Sequence, residues 1–62
     1  MKREVVDLDL DLLAETEKAI LVVSDTGEEI WLPKSQIEIN EQHKTTISIT
    51  LPEWLATKRG LI

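Results

Sequence analysis

The chain contains no cysteine, no phenylalanine and no tyrosine, and has only one histidine, one methionine, two glycines and two prolines in 62 residues. Without cysteine, neither a disulfide nor a thiolate-held metal can secure the fold. The fold must therefore rest on apolar burial, which suits a reducing cytoplasm. Gly27 and Gly60 are too few and too far apart for a glycine-rich phosphate loop. No apolar run approaches the roughly 20 residues of a membrane span. Met1-Lys2-Arg3-Glu4 leads into no apolar signal core. A cytoplasmic protein is expected.

The single histidine, His43, lies in a polar stretch (Glu41-Gln42-His43-Lys44) with no serine or acid at a spacing that would orient it as a base. No catalytic residue, metal ligand set or cofactor is expected, and the chain is read as a non-enzyme. Its 62 residues allow one small domain spanning 1–62, and a domain of that size has little room for a deep substrate cleft.

The composition is that of a small soluble globule, 42% hydrophobic and 31% charged. Ile, Leu and Val supply most of the apolar mass, and Trp31 and Trp54 are the only aromatics. The net charge is −5 and uneven. Residues 1–17 carry Lys2 and Arg3 against six acids, whereas residues 50–62 carry Lys58 and Arg59 against Glu53 alone. An acidic chain repels phosphate at long range, which disfavours general nucleic-acid affinity.

Val6, Leu8, Leu10 and Leu12 alternate with Asp7, Asp9 and Asp11. Leucines two apart do not share a helical face, so this is an amphipathic strand with one wet side. The aspartates would stand in a row, about 7 Å apart. Such a row reads either as a solvated face that discourages edge pairing or as a cation site or phosphate mimic. Residues 13–17 read as a turn or linker. Lys18 to Ser24 is apolar on both faces, which calls for a strand covered on both sides or bent sharply through a small barrel. Asp25-Thr26-Gly27 is a strong hairpin turn.

Glu28 to Leu32 alternates again and stops at Pro33, which lacks the N–H of a central ladder. Ser35 is placed to cap a single helical or 3₁₀ turn before a fourth strand starts at Ile37. Thr45 to Leu51 is a β-branched fifth strand with Ile47, Ile49 and Leu51 inward. Pro52 and Glu53 open a short helix, capped from Thr50 or Leu51, that ends near Arg59 before Gly60. Leu51, Leu55 and Trp54 are expected to face the sheet. The predicted fold is mainly β: a small, strongly bent five-stranded sheet or an SH3-like or OB-like barrel with one short C-terminal helix. A meander packed under one helix is the alternative.

Candidate binding residues are Trp31, Lys34, Gln36, Trp54, Lys58 and Arg59. Trp31 points opposite Ile30 and Leu32. It either presents an interface, where tryptophan is over-represented, or lies under the C-terminal helix in a cluster with Trp54. Trp54 beside Lys34, Lys58 and Arg59 would make an aromatic and basic patch of the kind that stacks on single-stranded bases.

The stretch GEEIWLPKSQI followed by LPEWLATKRGLI resembles a pattern in short phage- and prophage-encoded proteins found among replication and recombination genes. The resemblance spans Lys18 to Ile62 and is carried by Trp31, Pro33, Lys34, Ser35, Gln36, Pro52, Glu53, Trp54 and Leu55. It implies an accessory or host-interaction protein and no particular chemistry. Two functions follow: a module that docks on another protein, inhibiting or adapting it, and a single-strand nucleic-acid binder using the Trp54 side. The acidic balance favours the first.

As a surface residue in a turn, His43 should be dispensable. His43→Ala is expected to change stability by less than about 0.5 kcal/mol in urea denaturation, and a loss above about 2 kcal/mol would place the histidine inside the fold.

Overall fold

The computed structural model describes residues 4–62, so Lys2 and Arg3 of the acidic front segment lie outside the described residues. Five antiparallel strands form one open sheet in the order β3-β2-β1-β5-β4. They are β1 (Val5–Glu15), β2 (Ala19–Val23), β3 (Glu29–Pro33), β4 (Glu38–Gln42) and β5 (Thr46–Pro52), followed by the helix α1 (Glu53–Lys58). A 3₁₀ turn, Lys34–Gln36, joins β3 to β4.

The alternating strand is the centre of the sheet. Its first seven positions pair with β5, Val5 opposite Pro52 through Asp11 opposite Thr46. From Asp11 onward it pairs with β2. The residues expected to form a linker extend the strand to Glu15, past a bulge between Leu12 and Ala14. A bulge bends a strand and increases its twist, which lets β1 serve two neighbours that diverge.

Local chemistry sets the turns. Ser24 and Glu28 close the β2–β3 hairpin: the Ser24 N–H donates to the Glu28 carbonyl at 2.9 Å, and the Glu28 N–H donates to Ser24 Oγ at 3.1 Å. Gly27 within that loop takes φ of 88°, a conformation that favours glycine. At the β1–β2 turn, Thr16 N–H donates to the Ala19 carbonyl at 2.8 Å while Ala19 N–H returns to Thr16 Oγ1 at 3.0 Å.

The two free edges, β3 and β4, share no ladder, so the sheet stays open. They are nevertheless held together by the short crossing from Pro33 to Glu38. A flat five-stranded sheet would separate them by about 19 Å. Three residues of 3₁₀ turn plus two extended links reach about 13 Å. The sheet must therefore curl, which confirms the expected strong bend. Pro33, not Ser35, precedes the turn, and no side chain caps it.

The core fills the concave side. Leu10, Ile20, Val22, Ile30, Leu32, Ile47, Ile49 and Leu51 from the strands meet Leu55, Ala56 and Leu61 from the C-terminal segment. Val6, Leu8, Leu12 and Ile37 pack around them. Ile20 and Val22 are fully buried, while Ala19, Leu21 and Val23 on the opposite face of β2 are only half-buried. The apolar β2 strand thus belongs to a bent sheet and is not covered on both sides.

The helix starts after Pro52, with neither Thr50 nor Leu51 capping it. Its end is a Schellman motif: Leu61 N–H donates to the Ala56 carbonyl at 2.8 Å and Gly60 N–H to the Thr57 carbonyl at 3.1 Å. Gly60 has φ of 78°, and Leu61 is turned into the core. The expectation that Trp54 anchors this helix is corrected. Leu55 and Ala56 are buried, and Trp54 is 58% exposed. At about 100° per residue, Leu55 and Ala56 centre the buried face, and Trp54 lies about 150° from that centre. Among the described residues, no helix is long and apolar enough to cross a membrane.

Leu55 and Trp54 should therefore behave oppositely. Leu55→Ala removes a buried side chain and is expected to cost about 2–5 kcal/mol, a large share of what a domain this small has. Trp54→Ala should cost less than about 1 kcal/mol. Urea denaturation of both variants checks this, and equal destabilisation would return Trp54 to the core.

Candidate functional site

The six candidate residues occupy four regions of the molecule. Trp31 projects from β3 on the convex face, opposite Leu21 of β2, and is 48% exposed. Neighbouring Ile30 and Leu32 are buried on the concave side, as the alternation predicts. The placement of Trp31 under the C-terminal helix in a cluster with Trp54 is therefore corrected: the helix covers the concave side, and Trp31 is on the other.

Trp54 and Gln36 do come together. They line an open groove of about 740 Å³ with Val5, Ile37, Leu51 and Pro52 at the start of α1. Ser35, Glu38 and Thr50 supply the remaining polar lining. No histidine reaches it. His43 lies at the β4–β5 turn, 3.5 Å from the Glu41 carboxylate and exposed. The groove is thus equipped for contact: an indole, a primary amide and aliphatic walls.

Lys34 is committed elsewhere. Its ammonium donates to Glu15 Oε2 at 2.5 Å, and the Gln42 amide donates to Glu15 Oε1 at 2.7 Å. Glu15 thereby ties together the end of β1, the 3₁₀ turn and the end of β4, three segments brought close by the curl. The Lys34 hydrogen bond, then that from Gln42, then the Lys34 charge hold the Glu15 carboxyl below the usual carboxylate value. Lys58 closes α1 and Arg59 caps it, both exposed. This end of the helix lies near the β2–β3 turn, where Gly60 approaches the Glu28 carboxylate. Lys34 stands at the opposite end of β3, so no patch combines Trp54 with all three cations.

At the first residue of α1 two acids meet. Glu53 N–H donates to the Glu4 carbonyl at 3.1 Å. A hydrogen bond between the two carboxyls, reinforced by the Glu4 charge, raises the Glu53 pKa.

The convex face has a feature that the linear pattern conceals. Strand register aligns Asp7 with Thr50, Asp9 with Ser48 and Asp11 with Thr46. Thr50 Oγ1 donates to Asp7 and Ser48 Oγ to Asp9, and Asn40 Nδ2 donates to Thr50 Oγ1 at 2.7 Å. Asp7 and Asp9 of the row are thus hydrogen-bonded to β5. Glu38 and Glu41 continue the acidic face on β4, opposite Thr50 and Ser48. No group of three or more histidine, aspartate or glutamate side chains able to hold a metal occurs among the described residues. On the β2–β3 side the same face becomes apolar. Asp11, Val23 and Glu29 form one cross-strand row, and Ala14, Leu21 and Trp31 the next. The sequence shows the acids and Trp31, but only strand order places them on one face.

The Glu15 pair gives a signed pH dependence. A depressed carboxyl contributes stability that is complete above its unfolded-state pKa and is lost as pH falls through the folded-state value. Lys34→Met should raise the Glu15 titration midpoint towards the ordinary carboxylate value and reduce stability at neutral pH relative to acid. Carbon-detected NMR titration of Glu15 checks the first effect, and an unchanged midpoint would discard the pairing.

Comparison with known proteins yields no match to a family model, to a curated protein or to a solved structure.

Proposed function

We propose that this chain is a non-catalytic binding module that acts by docking on another protein, in keeping with a cytoplasmic phage or mobile-element accessory role. One observation carries the reading. Among the described residues, eleven apolar side chains form the buried core, and neither tryptophan is among them. Trp31 and Trp54 are 48% and 58% exposed in a chain that has no other aromatic residue. A small domain gains most by burying its largest side chains, so leaving both at the surface favours contact with a partner. A small five-stranded sheet with one short helix is in keeping with a compact module of this kind.

Single-strand nucleic-acid binding draws no support from this placement. Trp54 lines a groove with Glu38, Lys34 is paired with Glu15, and Trp31 shares its face with Asp11 and Glu29. A stacking platform needs cations beside its aromatics.

Trp31→Ala loses a cross-strand contact with Leu21 and should cost about 0.5–1 kcal/mol. It should remain folded by circular dichroism. Used as bait in a lysate of the producing cell, Trp31→Ala or Trp54→Ala is expected to lose a protein that the wild-type chain retains. Identical captured sets for both variants and the wild type would refute the binding reading.

A further inference from the structure

We propose that the convex face of β1, β2 and β3 is the docking site for a basic amphipathic helix of a partner protein. The inference rests on the binding reading above and specifies the partner's chemistry. Three observations carry it: an apolar strip, acidic borders and the spacing between them.

The strip is Leu21 and Val23 of β2 with Trp31 of β3 and Ala14 of β1, all on the uncovered side of the sheet. Leu21 and Val23 are half-buried and Trp31 is 48% exposed, so the strip is open to contact. Asp11 borders it on β1, with Asp9 farther along, and Glu29 borders it on β3. Strand register places Asp7, Asp9, Asp11, Glu29, Glu38 and Glu41 on this side. Among the described residues, register places no lysine or arginine on it. Lys18 and Lys44 lie in turns, Lys34 is held by Glu15, and Lys58 and Arg59 end the helix on the concave side. A solvated face ordinarily mixes both signs, and this one carries a single sign, with an acidic half beside an apolar one.

The geometry selects a helix. Asp11 and Glu29 flank Val23 across two strand spacings, about 10 Å, which matches the diameter of an α-helix with its side chains, about 10 Å. A helix lying along β2 would set its apolar stripe on Leu21, Val23 and Trp31. Lysines or arginines on either side of that stripe would reach Asp11 on one flank and Glu29 on the other. β2 is 5 residues long, about 17 Å at strand rise, which corresponds to about three helical turns. A nucleic acid would meet only repulsion here.

The probe is a leucine–lysine amphipathic helical peptide of about three to four turns, titrated into the whole chain and followed by amide NMR shifts and by the fluorescence of single-tryptophan variants. Shifts are expected to cluster on Ala14, Leu21, Val23, Glu29 and Trp31, and Trp31, not Trp54, should become protected from iodide. Trp31→Ala and the double variant Asp11→Asn/Glu29→Gln should each weaken binding about tenfold. Among the described residues, neither Asp11 nor Glu29 has a side-chain hydrogen bond, so the double variant should keep the wild-type Tm. Glu17→Gln/Asp25→Asn, with the same change in net charge elsewhere, should leave affinity unchanged. Shifts centred on the Trp54 groove, equal weakening by both charge pairs, or no binding would overturn the inference. So would tighter binding of the matching leucine–glutamate peptide or of a single-stranded oligonucleotide. The shift map on the wild-type chain decides the question even if a variant is destabilised. If the peptide fails while Trp31→Ala still loses its protein from lysate, the binding reading stands and only the partner's chemistry is wrong.

Discussion

The crossing from Pro33 to Glu38 ties one edge of the sheet to the other, and the rest of the structure depends on that tether. The edge strands belong to opposite ends of a five-stranded order, and a turn of three 3₁₀ residues spans them. The sheet accommodates this by curling, with the bulge at Leu13 helping β1 turn between its two partners. Curling creates an inside. Isoleucines, leucines and valines from four strands converge there, and a helix of only six residues completes the cover. Glu15 secures the same tether by ion pairing, because its carboxylate accepts from both Lys34 and Gln42.

An inside made by curvature leaves an outside with nothing over it. A single-layer sheet must keep that face compatible with water, which explains the aspartates of β1 and the hydroxyls of β5 with which they bond. It also explains the edges. β4 carries Glu38 and Glu41, is exposed throughout and bulges near Asn40, all of which discourage another strand from pairing. β3 ends at Pro33, which has no N–H to offer. Against this background the apolar half of the convex face stands out, since solubility alone does not call for Trp31, Leu21 and Val23 there.

Much of the fold could be read from period-two alternation. Val6 to Leu12, Glu28 to Leu32 and Thr45 to Leu51 each place their apolar residues on the side the structure buries. The limits of the reading are equally physical. A six-residue helix has too few turns to define an apolar stripe, so Trp54 was expected to face the sheet beside Leu55, whereas the structure buries Leu55 with Ala56 and leaves Trp54 outside. The β2 strand is apolar on both faces, and alternation cannot tell which face meets the core. The extension of β1 through Glu15 was hidden because a bulge breaks the very period that marks a strand. Of the candidate site residues, only Gln36 and Trp54 meet. Lys34 was singled out for its charge, but its partner is 19 residues away in sequence, a distance that the pairing of β1, β2 and β3 closes.

Trp31 contributes little to the free domain and keeps much of its surface open. Its contribution to the fold is a cross-strand contact with Leu21, about 0.5–1 kcal/mol. A tryptophan side chain offers up to about 250 Å², and with 48% of Trp31 open, about 100 Å² remains for a partner to cover. At about 25 cal/mol per Å² that surface contributes about 2–3 kcal/mol when water is removed from it, which is the range of a binding hot spot. In a complex formed through this face, the residue would therefore contribute more than it contributes to the free domain. The acids beside it act differently. Exposed charges add little to stability, but a field of one sign on one face orients an approaching partner and repels others of the same sign. Under the proposed docking, tryptophan would supply affinity and the carboxylates selection, both on the one sheet surface that the fold leaves uncovered.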